Sequence, residues 1–241
     1  MAEDEIIKKH TKAAYKAWRD PSKDWKHKLK EILLEVLIIV FAVTLSIWLH
    51  NWSESIKDRN EEKEFLKGLK GDIQADLKEM NSDRANLRKA FWAARYFERV
   101  GAGQALSNDS LNKNVWIFFS QAQINPRIGR YEALKASGRF DIITNKKLQY
   151  DIIDLYQKNF TEIFRLNAFM NSLIADKVDP YISDYITFDK KGVDNIQAML
   201  QKPKMRFLLL QCEGFKNSID AYSEGINKGS EIMNQIDKEL Q

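Results

Sequence analysis

The sequence predicts an all-α protein in which one N-terminal transmembrane helix continues into an elongated soluble helical bundle. Ile32 to Leu49 is an almost unbroken apolar run, and only 4 Pro and 10 Gly punctuate 241 residues. Beyond the run, apolar side chains recur every three or four residues and do not alternate, which is the period of a helix and not of a strand. Three parts follow: a basic tail at residues 1–30, a transmembrane helix at 31–52 and a soluble α-helical domain at 53–241.

Within Ile32–Leu49, 13 of the 18 residues are Leu, Ile, Val or Phe. As a helix the run rises about 27 Å, close to the thickness of a bilayer's hydrocarbon core. Those side chains favour insertion by roughly 4 to 8 kcal/mol, whereas the carboxylate of Glu35 opposes it by about 3 kcal/mol at most, so insertion wins. Trp25 lies before the run and Trp48 and Trp52 at its far end, where interfacial aromatics belong. No small-x-small cleavage site follows, so the helix is expected to remain as an anchor. The 20 residues before Ile32 hold seven Lys or Arg and the 20 from His50 to Leu69 hold four. This bias predicts a cytoplasmic N-terminus and a periplasmic C-terminal domain in a bacterial inner membrane. Ile6, Ile7 and Trp18 among the lysines of the tail fit either a helix lying on an anionic bilayer or a solvated arm.

Leu66, Leu69, Ile73, Leu77, Met80, Leu87 and Phe91 keep the helical period going from the anchor to about Val100, where Gly101 and Gly103 supply the first stop. Asn108, Asp109 or Ser110 can cap a second helix through Leu111, Val115 and Phe119, ending before Pro126. A short helix is expected from Ile128 to Ser137, stopped by Gly138. Thr144 or Asn145 should start a long one that reaches Val178 before Pro180. Val193–Leu200 reads as a short helix, and Met205–Leu240 as a final long one.

Two stretches carry a resemblance. EVLIIVFAVTLSIWLHNWSE, residues 35–54, has an acidic residue, an apolar run and an Asn-Trp-x-Glu exit made by Asn51, Trp52 and Glu54. YEALKASGRFDIITNKKLQYDIIDLYQ, residues 131–157, places Tyr131, Leu134, Ser137, Gly138, Asn145, Leu148 and Tyr156 in a Tyr-x-x-Leu-x-x-Ser-Gly segment followed by an Asn-x-x-Leu helix start. The chain thereby resembles a family of uncharacterised bacterial single-pass membrane proteins, frequent in Bacteroidota, whose domain has no known function. It departs from that pattern at Leu49-His50, where the family has a polar pair, and at Ala42, where glycine is common. The resemblance implies a membrane protein and transfers no activity.

His10, His27 and His50 are the three histidines, so the domain at 53–241 lacks the commonest general base and metal ligand. The single cysteine, Cys212, forms no intramolecular disulfide and no paired-cysteine zinc site, and its apolar neighbours make it a small buried hydrophobe. Asp72 with Asp76, Asp151 with Asp154, and Asp176 with Asp179 are carboxylate pairs at helical spacing and read as solvated faces. No catalytic residue, metal or cofactor is expected, and the chain does not read as an enzyme. Residues 53–241 hold 29 Lys or Arg against 27 Asp or Glu, a balance that argues against nucleic acid. Trp116, Phe118, Phe119, Phe160, Phe164 and Phe169 recur at core spacing.

Two candidate sites remain. Arg127, Arg130 and Arg139 around Tyr131 form the densest basic group and read either as a rim of solvent-exposed arginines or as a patch that receives an anionic ligand or an acidic partner. Glu35, Ala42 and Ser46 form a candidate anchor-helix contact, a small-x-x-x-small pair with a carboxylate one turn inside the apolar run, the alternative being that Glu35 snorkels to the membrane edge. The expected function is a membrane-anchored, non-enzymatic helical scaffold or protein-interaction module, homo-oligomeric, with the bilayer and an unidentified protein as partners. The alternative is a receptor-like sensor that binds a small ligand between helices of the extracytoplasmic domain.

Overall fold

A computed structural model describes residues 12, 15, 25–104, 107, 110, 111, 113–115, 122–190 and 192–241. The second expected helix falls largely outside these residues, as do Trp116, Phe118 and Phe119. The described chain is helical apart from one two-stranded hairpin and the connecting turns.

Helix α1 runs from Trp25 to Gly101, 77 residues without an internal proline. It ends at the expected stop, where Gly103 takes a φ of 101° that a residue with a β-carbon rarely adopts. The chain divides into two units, residues 1–61 and 62–241, and α1 contributes to both.

In the first unit, α1 carries the apolar run, is long and apolar enough there to cross a membrane, and has none of its most apolar 18-residue window buried. Leu34, Leu37, Val40 and Phe41 stand exposed. The rings of Trp48 and Trp52, one turn apart, stack with centroids 6.2 Å apart. Charge returns beyond them, where Lys57 Nζ lies 4.0 Å from Glu61 Oε1.

In the second unit, Leu66, Leu69, Ile73, Met80, Leu87 and Phe97 of α1 belong to one buried cluster. Helix α2, Gly129–Ala136, adds Tyr131 and Leu134 to it. Gly138 follows at φ 69° with open space where a β-carbon would project. The penalty for Gly138→Val is therefore purely conformational, and the variant should be destabilised by about 1 kcal/mol or more. A melting temperature equal to that of the unmodified chain would show that the left-handed turn is dispensable.

A 3₁₀ turn at Phe140–Ile142 leads to α3, Lys146–Asp154. Asn145 caps α3 as expected, its Oδ1 accepting from Leu148 N at 3.1 Å. The chain then passes through a π turn at Leu155–Asn159, α4 at Phe160–Leu173, a second π turn at Ile174–Val178 and α5 at Asp179–Tyr185. The expected end before Pro180 is corrected. In the second π turn Asp179 N–H donates to Ile174 O, so Pro180 enters the first turn of a new α segment, where its missing N–H breaks nothing.

Strands β1, Phe188–Asp189, and β2, Gly192–Val193, pair antiparallel where the sequence suggested no strand. The following helix α6 is Ile196–Leu200 and starts three residues later than expected. Asn195 explains the delay, because its Oδ1 accepts from Thr187 N at 3.0 Å and ties the base of the hairpin together. The expected final helix is two: α7 at Pro203–Gln211 and α8 at Gly214–Glu239. The break sits where a β-carbon on Gly214 would come 2.6 Å from Met170 Sδ. Further along α8, a β-carbon on Gly225 would meet Met80 at 2.7 Å and one on Gly229 would meet Leu77 at 2.8 Å. Glycine at these two positions lets α8 approach α1 more closely than side chains allow. Phe160 is in the core as expected, whereas Phe164 and Phe169 are exposed, correcting their assignment to it.

Candidate functional site

Four carboxylates of α1 face the segment that precedes and follows α2. Asp76 is buried to 1% exposure; it accepts from Arg127 N at 3.1 Å and from Arg127 Nη1 at 2.9 Å. Arg130 Nε donates to Asp72 Oδ2 at 3.0 Å, and Asn125 N donates to Glu79 Oε1 at 3.0 Å. Glu62 is fully buried and accepts from Thr144 N at 2.7 Å and Thr144 Oγ1 at 3.1 Å. Asp76 is thus not the solvated residue that its spacing suggested. Burial pushes its carboxyl above the usual carboxylate range, although the hydrogen bonds and charge of Arg127 pull it back.

The basic group read from the sequence is therefore met by acids of the same chain. Arg127 and Arg130 pair with Asp76 and Asp72, and Arg139 is likewise not free. Tyr131 lies in the core at 1% exposure. Its ring stacks on Tyr156, with centroids 4.3 Å apart and planes 7° from parallel, and meets Phe140 edge-on at 5.6 Å.

Helix α3 holds a second polar cluster with α8. Asp151, also read as solvated, is 8% exposed and accepts from Lys147 at 2.7 Å, Lys228 at 2.8 Å and Gln235 at 2.7 Å. Burial pushes its carboxyl upward, but those three donors outweigh it and hold the pKa at about 2. A cleft of about 510 Å³ opens beside the cluster. Its charges satisfy one another: Lys147 pairs with Glu231, and Asn145 Nδ2 donates to Glu239 Oε1 at 2.8 Å. Because the folded pKa of Asp151 lies below the ordinary aspartate value of 3.8, its contribution is complete above that value and is lost as pH falls to about 2. Asp151→Asn should cost about 2 kcal/mol at pH 6, and the gap between the two melting curves should close near pH 2. A gap independent of pH would assign the loss to packing and not to charge.

Among the described residues, no group of three or more His, Cys, Asp or Glu is placed to hold a metal ion. Cys212 is buried, its thiol donates to Leu208 O at 3.4 Å, and desolvation pushes its pKa to about 12, as suits an inert thiol. Tyr222 joins Asn167 Nδ2 at 2.9 Å to Asp83 Oδ2 at 3.3 Å, a buried brace between α4, α8 and α1.

A groove of about 650 Å³ that sequence reasoning missed lies between the last turns of α1 and the start of α8. Arg88, Trp92 and Arg95 line one side, and Glu213, Lys216 and Asn217 the other. Its signal in the sequence was local charge: residues 84–99 hold five Lys or Arg and one Glu, and residues 202–216 hold four and one.

On the apolar part of α1, Glu35, Ala42 and Ser46 are seven and four residues apart, which places them within about 40° of one another around the helix axis. Ala42 and Ser46 are partly exposed, and Glu35 already has an interaction within the chain.

Compared with known proteins, the chain matches no family model, no curated protein and no solved structure.

Proposed function

We propose that this chain is a single-pass membrane protein whose helical domain is a non-enzymatic interaction module, assembled as a homo-oligomer through its anchor. The observation that carries this reading is the apolar window of α1, none of which is buried. In water such a surface is strongly unfavourable, whereas in hydrocarbon it is the expected one, with every backbone group satisfied inside the helix. The lysine excess before Ile32 supports a cytoplasmic N-terminus and a periplasmic domain in a bacterial inner membrane. The resemblance at residues 35–54 and 131–157 supports the same class of protein. Ala42 and Ser46 offer the close approach that joins anchor helices, with Glu35 in the contact. A second reading, a sensor that passes a ligand-driven shift through the anchor, draws support from α1 itself, which has no break between the apolar run and the core of the second unit.

Ser107→Cys tests orientation, because Ser107 is exposed and the native thiol is buried. A membrane-impermeant maleimide should label it in intact spheroplasts; labelling only after lysis would reverse the topology. Cross-linking in native membranes tests assembly. Ala42→Leu with Ser46→Leu should abolish the cross-linked oligomer and Glu35→Gln should keep it, while an oligomer untouched by the double leucine change removes the anchor from the contact.

A further inference from the structure

We propose that the groove between the end of α1 and the start of α8, together with the outer face of α7, docks an acidic amphipathic segment of a protein partner. This deepens the interaction-module reading and rests on it. The two basic segments are neighbours in the fold although distant in sequence. Arg95 Nη1 donates to Glu213 Oε1 at 2.9 Å, and a β-carbon on Gly101 would lie 2.7 Å from Leu200 O and 3.4 Å from Arg206 Cγ. Together they hold nine Lys or Arg against two Glu, leaving 20 against 25 in the rest of residues 53–241. The near-neutral domain is therefore uneven in charge, with net +7 in these two segments and net −5 in the remainder.

Both acids of these segments are already engaged, because Arg95 Nη1 donates to Glu98 at 2.7 Å as well as to Glu213. Arg88, Arg99, Arg206 and Lys216 are exposed and make no ion pair among the described residues. Helix stability does not account for them all. Cations at the end of α1 favour its macrodipole, but Lys204 and Lys216 stand in the first turns of α7 and α8, where a cation opposes it. Among these charges, Trp92 is 67% exposed, Phe207 61% and Leu210 54%. Trp and Arg are the residue types that carry most binding energy at protein interfaces, and aliphatic and aromatic anchors inside a charged rim match such an interface better than a phosphate backbone. Residues 1–30 of this chain hold nine Lys or Arg against five acids, so charge repels that arm from the groove.

The test uses the full chain in lipid nanodiscs and a fluorescein-labelled synthetic peptide with Leu at three- and four-residue spacing and Glu between. Anisotropy should show binding that weakens with salt. The charge reversal Arg88→Glu with Lys216→Glu should weaken it at least about tenfold, as should Trp92→Ala. Lys158→Glu with Lys177→Glu, the same charge change outside the groove, should leave it unaltered, and unchanged melting curves should show that all variants are folded. A peptide with Lys in place of Glu should not bind. Absence of binding, equal binding by the two reversals, or equal competition by oligothymidylate or phosphatidylglycerol vesicles would overturn the proposal. So would loss of self-association in the Arg88/Lys216 variant without loss of peptide binding, which assigns the face to a second copy. Fractionation separates this from the anchor: chain in the membrane that binds no peptide defeats the groove alone, and soluble chain that binds peptide defeats the anchor alone.

Discussion

Leu37→Arg combined with Phe41→Arg should remove the chain from the carbonate-resistant membrane fraction. Both residues lie in the exposed apolar window, one helical turn apart near its centre. Each arginine costs about 2.5–3.5 kcal/mol at mid-membrane, and the pair also forfeits the gain from the two residues it replaces. The whole run favours insertion by roughly 4 to 8 kcal/mol, so the balance falls to zero or reverses. The same changes on a helix exposed to water would improve solubility and leave fractionation unaltered. Retention of the double variant in the membrane after carbonate washing would mean that something other than this window holds the chain there. Leu37→Ala with Phe41→Ala is the matched control, because alanine weakens insertion without reversing it.

What could be read from the sequence was whatever local chemistry decides. The end of α1 at Gly101, the left-handed Gly138 and the cap at Asn145 each depend on a few consecutive residues, and each appears where expected. The elements that were missed answer to distant partners. At the break before Gly214, the side chain that occupies the space of a β-carbon belongs to Met170, on another helix. The same division runs through the candidate sites. Local density singled out Arg127 and Arg130, but their carboxylates lie 51 and 58 residues earlier and become visible only when α2 packs on α1. Conversely, summing charge over residues 53–241 concealed a basic excess in two segments joined by a pair 118 residues apart. Periodicity fixes which side of a helix is buried; it does not say which charges that burial brings together.

Tyr131 decides between the two views of the Arg127–Arg139 region, and Tyr131→Ala should cost about 3–5 kcal/mol, the range for an aromatic side chain removed from a packed core. Its ring fills the space between Tyr156 and Phe140, and α2 has only Leu134 besides it to hold the helix against the core. Tyr131→Phe should behave oppositely. The Tyr131 hydroxyl is buried and has no hydrogen-bond partner among the described residues, so removing it leaves the stacking intact and relieves a desolvated polar group. The phenylalanine variant should therefore melt at or above the temperature of the unmodified chain. A residue that handled an anionic ligand beside three arginines would show the reverse order: alanine would leave the melting temperature nearly unchanged, and phenylalanine would lose whatever the hydroxyl bound. Thermal melts of the two variants in the same detergent separate these outcomes, since a keystone of the core predicts a large loss for one and none for the other. A Tyr131→Phe variant as unstable as Tyr131→Ala would show that the hydroxyl has a partner and would return this region to the list of binding sites.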